Sequence, residues 1–168
     1  QEENDSLRAS LNLSDKLSRD NVLTADVSMR PSVTWLKELT INVGKSKNVS
    51  KSMLATSNGG VIGFVTKVYD DTTTISLLSS SSSDSYLASS VKSEDDNQIF
   101  GIISRYDNKK KLLEMTQLNS SSNVKVGTEV VTSGLDDVSV KDVPIGTVDS
   151  VSDYEGNRTI LVKFLMLL

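Results

Sequence analysis

Ile62-Gly63-Phe64-Val65-Thr66-Lys67-Val68 and Ile145-Gly146-Thr147-Val148-Asp149-Ser150-Val151 are two copies of one pattern, Ile-Gly-x-Val running on as a strand. The first is preceded by Asn48-Val49-Ser50-Lys51-Ser52-Met53-Leu54-Ala55-Thr56-Ser57-Asn58-Gly59. The second is preceded, across a longer loop, by Asn123-Val124-Lys125-Val126-Gly127-Thr128-Glu129-Val130-Val131-Thr132-Ser133-Gly134. Each copy reads as a strand, a glycine-bearing turn and a second strand. The inner glycines, Gly63 and Gly146, fall where a small barrel must bend or admit a neighbouring backbone. Two copies predict two small β-barrels; a chance match between two hairpins is the other reading of the same residues.

Outward from these copies the chain keeps a period of two. Val22-Leu23-Thr24-Ala25-Asp26-Val27-Ser28-Met29 alternates until Pro31, and Leu39-Thr40-Ile41-Asn42-Val43 alternates until Gly44. Further runs stand at Met53 to Ser57, Val61 to Tyr69, Thr73 to Ser79, Ser85 to Val91, Gln98 to Ser104, Lys111 to Leu118, Glu129 to Thr132, Ile145 to Val151 and Arg158 to Leu167. Asn58-Gly59-Gly60, Asp70-Asp71, Asp107-Asn108 and Glu155-Gly156-Asn157 supply turns between them, and the serine runs Ser79 to Ser83 and Ser120 to Ser122 read as loops. Short strands punctuated in this way make a sandwich or a barrel.

Before Asn21 the pattern is different. Leu7 and Leu11 stand four apart, with Leu17 beyond them, among Glu2, Glu3, Asp5 and Arg8. So thin an apolar stripe cannot cover a core. It reads as the last turns of a coiled coil, with Leu7 and Leu11 as self-association residues, or as a surface helix docked on its own domain. The expected organisation is a coiled-coil end over 1–18, a first barrel over 19–82 and a second over 83–168. A barrel of 53–118 nested inside one built from 19–52 and 119–168 satisfies the repeat equally well. Residue 1 is Gln and the first turn is already helical in pattern, so an anchor or signal is expected ahead of it.

Composition narrows the chemistry. With 18 Lys and Arg against 22 Asp and Glu, the net charge of −4 argues against general affinity for nucleic acid. Zero Cys removes disulfides and thiolate chemistry, and zero His removes the usual general base and the Ser-His-Asp triad. A Ser-Lys dyad drawn from Lys45, Lys47, Lys51 or Lys67 would need a desolvated lysine, whereas these stand among polar loop residues. Gly44-Lys45-Ser46 has the tail of a phosphate loop but Leu39 where the leading glycine belongs, and reads as a hairpin turn. Glu94-Asp95-Asp96, Asp136-Asp137 and Asp153-x-Glu155-Gly156-Asn157 lack calcium-loop spacing and read as solvated turns. Trp35 is the lone tryptophan, either a packed corner anchor or a partner hot spot. No catalytic, metal or cofactor residue is expected.

The order of motifs resembles the MreC family of bacterial rod-shape-determining proteins. The coiled-coil-like Glu2-Glu3-Asn4-x-x-Leu7-Arg8-x-x-Leu11 leads into a strand; Trp35-x-x-x-Leu39-Thr40-Ile41-Asn42-x-Gly44 and Asn48-Val49-x-x-x-Met53 follow. Val61-Ile62-Gly63-x-Val65, Val124-Lys125-Val126-Gly127-Thr128-x-Val130-Val131-Thr132-Ser133-Gly134-Leu135 and Val143-Pro144-Ile145-Gly146-x-Val148 complete it. The stretch from Thr132-Ser133-Gly134-Leu135 to Pro144-x-Gly146-x-Val148 is its most specific part. Asn42 stands where the family carries Asp, Asn48 and Ser52 where it carries Gly, and Asp136-Asp137 where it usually carries glycines. Phe164-Leu165-Met166-Leu167-Leu168 departs from the family's closing segment.

The resemblance implies a single-pass, extracytoplasmic scaffold: a membrane helix, a self-associating coiled coil giving a dimer or larger oligomer, then two β-barrels in a trypsin-like arrangement without catalytic residues. It also implies a role in cell elongation and peptidoglycan synthesis. The implied partners are penicillin-binding transpeptidases, MreD, RodA-type glycosyltransferases and, across the membrane, MreB. Two other readings stand beside it: a Ser-Lys hydrolase on a double barrel, and a β-domain that recognises peptide or glycan by strand addition at an exposed edge.

Overall fold

Where aliphatic and β-branched residues alternate with polar ones, an extended chain can bury one face and wet the other. The computed structural model describes residues 23–29, 38–57, 59–79, 86–135 and 140–164. Within them lie eleven strands: β1 (Val27–Met29), β2 (Glu38–Ile41), β3 (Leu54–Ser57), β4 (Gly60–Val68), β5 (Thr73–Leu77), β6 (Leu87–Lys92), β7 (Gln98–Asp107), β8 (Leu112–Thr116), β9 (Glu129–Thr132), β10 (Pro144–Tyr154) and β11 (Asn157–Phe164). Each expected run holds a strand, and β7 and β10 run on past their expected ends to Asp107 and Tyr154. The expected helix, with Leu7 and Leu11, and Trp35 lie outside the described residues. The chain divides between Ser80 and Ser81 into two units.

In the first unit β1 to β5 form one antiparallel sheet in the order β1-β2-β5-β4-β3. Leu39, Ile75 and Val65 stand side by side on one face, followed by Leu77 beside Gly63, and the four large side chains are buried. Thr73 on the same face is also buried, which is tolerable because its hydroxyl donates to the Val43 carbonyl at 2.6 Å. The opposite face carries Glu38, Ser76 and Thr74 around the apolar pair Leu54–Phe64. Among the described residues no ladder joins β1 to β3, and of the expected first barrel they hold this five-stranded sheet.

In the second unit β6 to β11 close into a barrel in the order β10-β11-β8-β7-β6-β9. Leu87, Val91, Ile99, Ile103, Leu113, Met115, Val130, Val148, Ile160 and Val162 are all buried. Strand pairing places them on one face of the sheet, the inside. Each such side chain is worth roughly 1.5–3 kcal/mol on leaving water. Tyr106 and Phe164 close one end of this core with ring centroids 5.9 Å apart and planes inclined at 58°. The strands of 53–118 divide between the two units: β3 to β5 pair with β1 and β2, and β6 to β8 close with β9 to β11.

The internal repeat holds at the level of hydrogen bonds. Val65 accepts from the Ser52 N–H at 2.8 Å and donates to Met53 at 2.9 Å; Val148 accepts from Gly127 at 2.8 Å and donates to Thr128 at 2.9 Å. Ala55 pairs with Gly63 and Val130 with Gly146, each pair followed by a bulge. A Cβ on Gly63 would lie 2.1 Å from the Ser76 carbonyl oxygen, and one on Gly146 2.0 Å from that of Lys163. Both glycines are therefore there for close backbone approach. The correspondence also reaches beyond the copied motif. β1, β2 and β5 match β7, β8 and β11, with Leu39 opposite Ile75 as Leu113 is opposite Val162. The bulge between Val27 and Met29 falls where that between Ile103 and Arg105 does.

Candidate partner-binding surface

The segment that carries the most specific resemblance is the β9–β10 loop, and one buried hydroxyl organises it. Thr132 ends β9 inside the barrel. Its Oγ1 donates to the Val140 carbonyl and accepts from the Val143 N–H at 2.9 Å, while its main chain exchanges bonds with Val143 and Asp142. Ser133 donates from its backbone to Ala88 at 3.0 Å, and Gly134 then turns the chain away at a φ of 67°. The turn leaves Leu135 69% exposed. Tyr86, itself 62% exposed, and Leu135 each stand two residues beyond the bond between Ala88 and Ser133. With the part-exposed Val140 they make an apolar rim at this end of the barrel.

A second feature projects from the other end. The Glu155-Gly156 turn, with φ of 49° and 79°, closes the β10–β11 hairpin and sets Asp153 opposite Arg158. Arg158 bonds Asp153 through Nε at 3.0 Å and donates from Nη1 to the carbonyls of Ser121 and Ser122. The hairpin is thereby tied to the serine-rich segment that crosses the barrel end. Its tip presents Tyr154, 73% exposed.

Charge is placed in ordered turns. The Lys110 and Lys109 backbone N–H groups donate to the Asp107 carboxylate at 3.1 and 2.9 Å and hold it below the usual carboxylate range. Burial, and after it the charge of Asp107, pushes the Tyr106 phenol up from its ordinary value.

The other residues singled out in the sequence fall as follows. Lys45, Lys47, Lys51 and Lys67 are exposed, without the burial a lysine base requires. Gly44-Lys45-Ser46 is not the hairpin turn expected: β2 pairs with β5, β3 with β4, and a short 3-10 turn over Lys45–Lys47 connects them. The N–H groups of Lys45 and Ser46 donate to Tyr69 and Asp70 at 2.9 and 3.2 Å, so they are not free to cradle a phosphate. Gly44 makes that contact possible, since a Cβ there would lie 2.1 Å from the Tyr69 oxygen. Glu94, Asp95 and Asp96 form an exposed turn fastened by the Ser93 hydroxyl to the Asn97 N–H at 3.2 Å. Among the described residues no group of carboxylates is arranged to hold a metal, and no helix is long and apolar enough to cross a membrane.

Asn48 and Ser52, where the resemblance expects glycine, take φ of 61° and 69°. The backbone keeps the glycine conformation without the glycine. Leu135 belongs to the most specific motif of the sequence, whereas nothing in the sequence singles out Tyr86 or Tyr154. For Arg158 a signal existed: a two-residue Glu155-Gly156 turn places Asp153 directly across the hairpin.

Comparison with known proteins places this geometry. Residues 27–167 match the family model described as rod shape-determining protein MreC, barrel core. The cell shape-determining protein MreC of Streptococcus pneumoniae is 40% identical over 146 residues, covering 87% of this chain and 53% of that protein. That of Listeria monocytogenes is 34% identical over 163 residues, covering 96% and 55%. The chain thus spans about half the length of these curated relatives. Among solved structures, the major periplasmic domain of the cell shape-determining filament MreC superposes with a TM-score of 0.79 at 37% identity, over 86% of this chain and 87% of that one. A complex between penicillin-binding protein PBP2 and MreC from Helicobacter pylori shares the fold, with a TM-score of 0.67 at 18% identity over 85% and 86%.

Proposed function

This chain belongs to the MreC family of cell shape-determining proteins, and from that premise we propose that it is a non-catalytic, extracytoplasmic scaffold of the cell-elongation machinery. In this reading a membrane anchor and a coiled coil precede the β-domains, Leu7 and Leu11 pair copies of the chain, and two β-domains divided in the Ser80 to Asp84 segment adopt the trypsin-like double-barrel arrangement. The domains present surfaces to a penicillin-binding transpeptidase, with MreD, a RodA-type glycosyltransferase and MreB as further members of the assembly. Linking copies through a coiled coil raises effective concentration, so contacts that are weak singly act together.

The family match over residues 27–167 carries the proposal. A relative of the same fold has been solved with PBP2, and a sequence with no His and no Cys is in keeping with a protein that works by shape. The apolar rim of Tyr86, Leu135 and Val140 is the surface assigned to the transpeptidase. Immobilised chain is expected to retain the ectodomain of the transpeptidase from the same bacterium, and Tyr86→Asp with Leu135→Asp to reduce that retention. No retention of the ectodomain by the unaltered chain would remove the proposal. For the helix, Leu7→Asp with Leu11→Asp is expected to lower the mass measured by equilibrium sedimentation, and an unchanged mass would discard those two residues as the pairing stripe.

A further inference from the structure

The internal repeat makes visible what is added to the barrel. In the first copy β3 and β4 pair up to Ser57↔Gly60, with only Asn58 and Gly59 between them. In the second copy β9 and β10 repeat that pairing, but residues 133–143 stand between Thr132 and Pro144. A hairpin of this plan closes without the longer loop, so the inserted residues serve something other than closure. They carry two of the three rim side chains, Leu135 and Val140.

Holding exposed apolar side chains in one arrangement costs conformational entropy and buries little in return. The described part of this loop is nevertheless tied down. The Thr132 N–H donates to the Val143 carbonyl and the Asp142 N–H to the Thr132 carbonyl, both at 2.9 Å, which fixes the base. The hydroxyl reaches farther: Oγ1 accepts from the Val143 N–H at 2.9 Å and donates to the carbonyl of Val140, a rim residue. On the outgoing side the Ser133 N–H bonds the Ala88 carbonyl at 3.0 Å, and the Leu135 N–H donates to the Ser133 Oγ at 3.4 Å. Gly134 packs against the returning limb, where a Cβ on it would lie 3.1 Å from the Lys141 Cβ.

We propose that Thr132 is the positioning residue of the rim: its hydroxyl holds the β9–β10 loop in the arrangement that the transpeptidase binds. Thr132 is fully buried and so acts without touching the partner. The chemistry asks for a hydroxyl. Valine has the shape of threonine and can neither donate nor accept, whereas serine does both. A loop that spends part of its time in other arrangements binds in proportion to the competent fraction, so loosening it weakens affinity without removing any contact. The inference rests on the scaffold reading, in which the rim meets the transpeptidase.

The test is the dissociation constant between this chain and the transpeptidase ectodomain from the same bacterium, at a temperature where every variant is folded. Thr132→Val is expected to weaken binding about tenfold and Thr132→Ser to stay within about twofold of the unaltered chain. Thr73→Val, which removes a buried hydroxyl from the first unit, should leave binding unchanged. Hydrogen exchange of the Val143 amide should quicken in Thr132→Val while the Val91 and Ile103 amides inside the barrel keep their protection. Unchanged binding by Thr132→Val would overturn the proposal, as would equal weakening by Thr132→Ser or by Thr73→Val. If Thr132→Val loses protection throughout the barrel, Gly134→Ala decides, since it strains the loop at a φ of 67° outside the core; unchanged binding there would again overturn the proposal. Binding abolished by Tyr86→Asp with Leu135→Asp yet kept by Thr132→Val would sink this inference alone, whereas no binding by the unaltered chain would remove the scaffold reading and this inference with it.

Discussion

The sheet of β1 to β5 and the barrel of β6 to β11 repeat the same pairings, bulges and glycine contacts, yet only the second closes among the described residues. The difference lies in a single strand. β6 joins β7 through a short turn at Ser93–Asn97 and reaches β9 across more than 30 residues of chain. Closure is thus a long-range event added to a plan that local sequence already sets out twice. A closed barrel has no free edge, and among the described residues β1 and β3 of the sheet each pair on one side.

If the two units share one plan, equivalent positions should respond alike, and Gly63 and Gly146 are the strongest test. Gly63→Ala and Gly146→Ala each force a methyl group to about 2 Å from a carbonyl oxygen. Each is expected to lower unfolding free energy by about 3 kcal/mol in denaturant titrations, the upper end for overpacking. A mild effect at one glycine only would break the equivalence. Thr132 and Thr73 should differ instead. Thr132→Val strands both the Val143 N–H and the Val140 carbonyl, Thr73→Val only the Val43 carbonyl. Losses of about 2 and about 1 kcal/mol are expected on the same titrations. Equal losses would mean that the β9–β10 loop does not depend on its hydroxyl anchor.

Ser52 and Gly127 sharpen the comparison by sign. They hold the same place in the repeat with φ of 69° and 89°, and nothing lies within 4 Å of a Cβ built on Gly127. Ser52→Gly is expected to stabilise and Gly127→Ala to destabilise, each by about 1 kcal/mol, through backbone conformation alone. Thermal midpoints moving in the same direction would contradict this. The smallest effect belongs to the barrel only. The Asp107 carboxyl is held below its ordinary value of about 4, so its contribution is present above that value and fades as pH falls through the lower folded one. Asp107→Asn should flatten the stability profile in that acid window, with the contribution missing near neutrality, where the carboxylate supplies it in full, and no difference from the parent chain at still lower pH.

Much of the fold could be read from the chain because alternation and turn residues act locally. Glu155-Gly156 and Gly59 take the positive φ that a hairpin turn requires, and Gly63 and Gly146 repeat with their flanking Ile and Val. The wider correspondence was hidden, since Leu39-Thr40-Ile41 and Leu113-Glu114-Met115 share an inward pattern and little identity. The rim was hidden for another reason. Tyr86 and Leu135 lie nearly 50 residues apart in the chain and reach the same end of the barrel only through the β6–β9 ladder, and an exposed side chain looks like any other in a list of letters.

By itself the sequence determined the strand class, the places where the backbone must turn or approach a neighbour, and the lack of imidazole and thiol chemistry. Each of these follows from the identity of a few neighbouring residues. Only the tertiary structure decided which edges are joined, that Thr132 rather than a surface group secures the β9–β10 loop, and which apolar side chains stay in water. Those outcomes depend on hydrogen bonds between strands far apart in the chain, and the period-two pattern of a single strand says which face is buried without saying against whom.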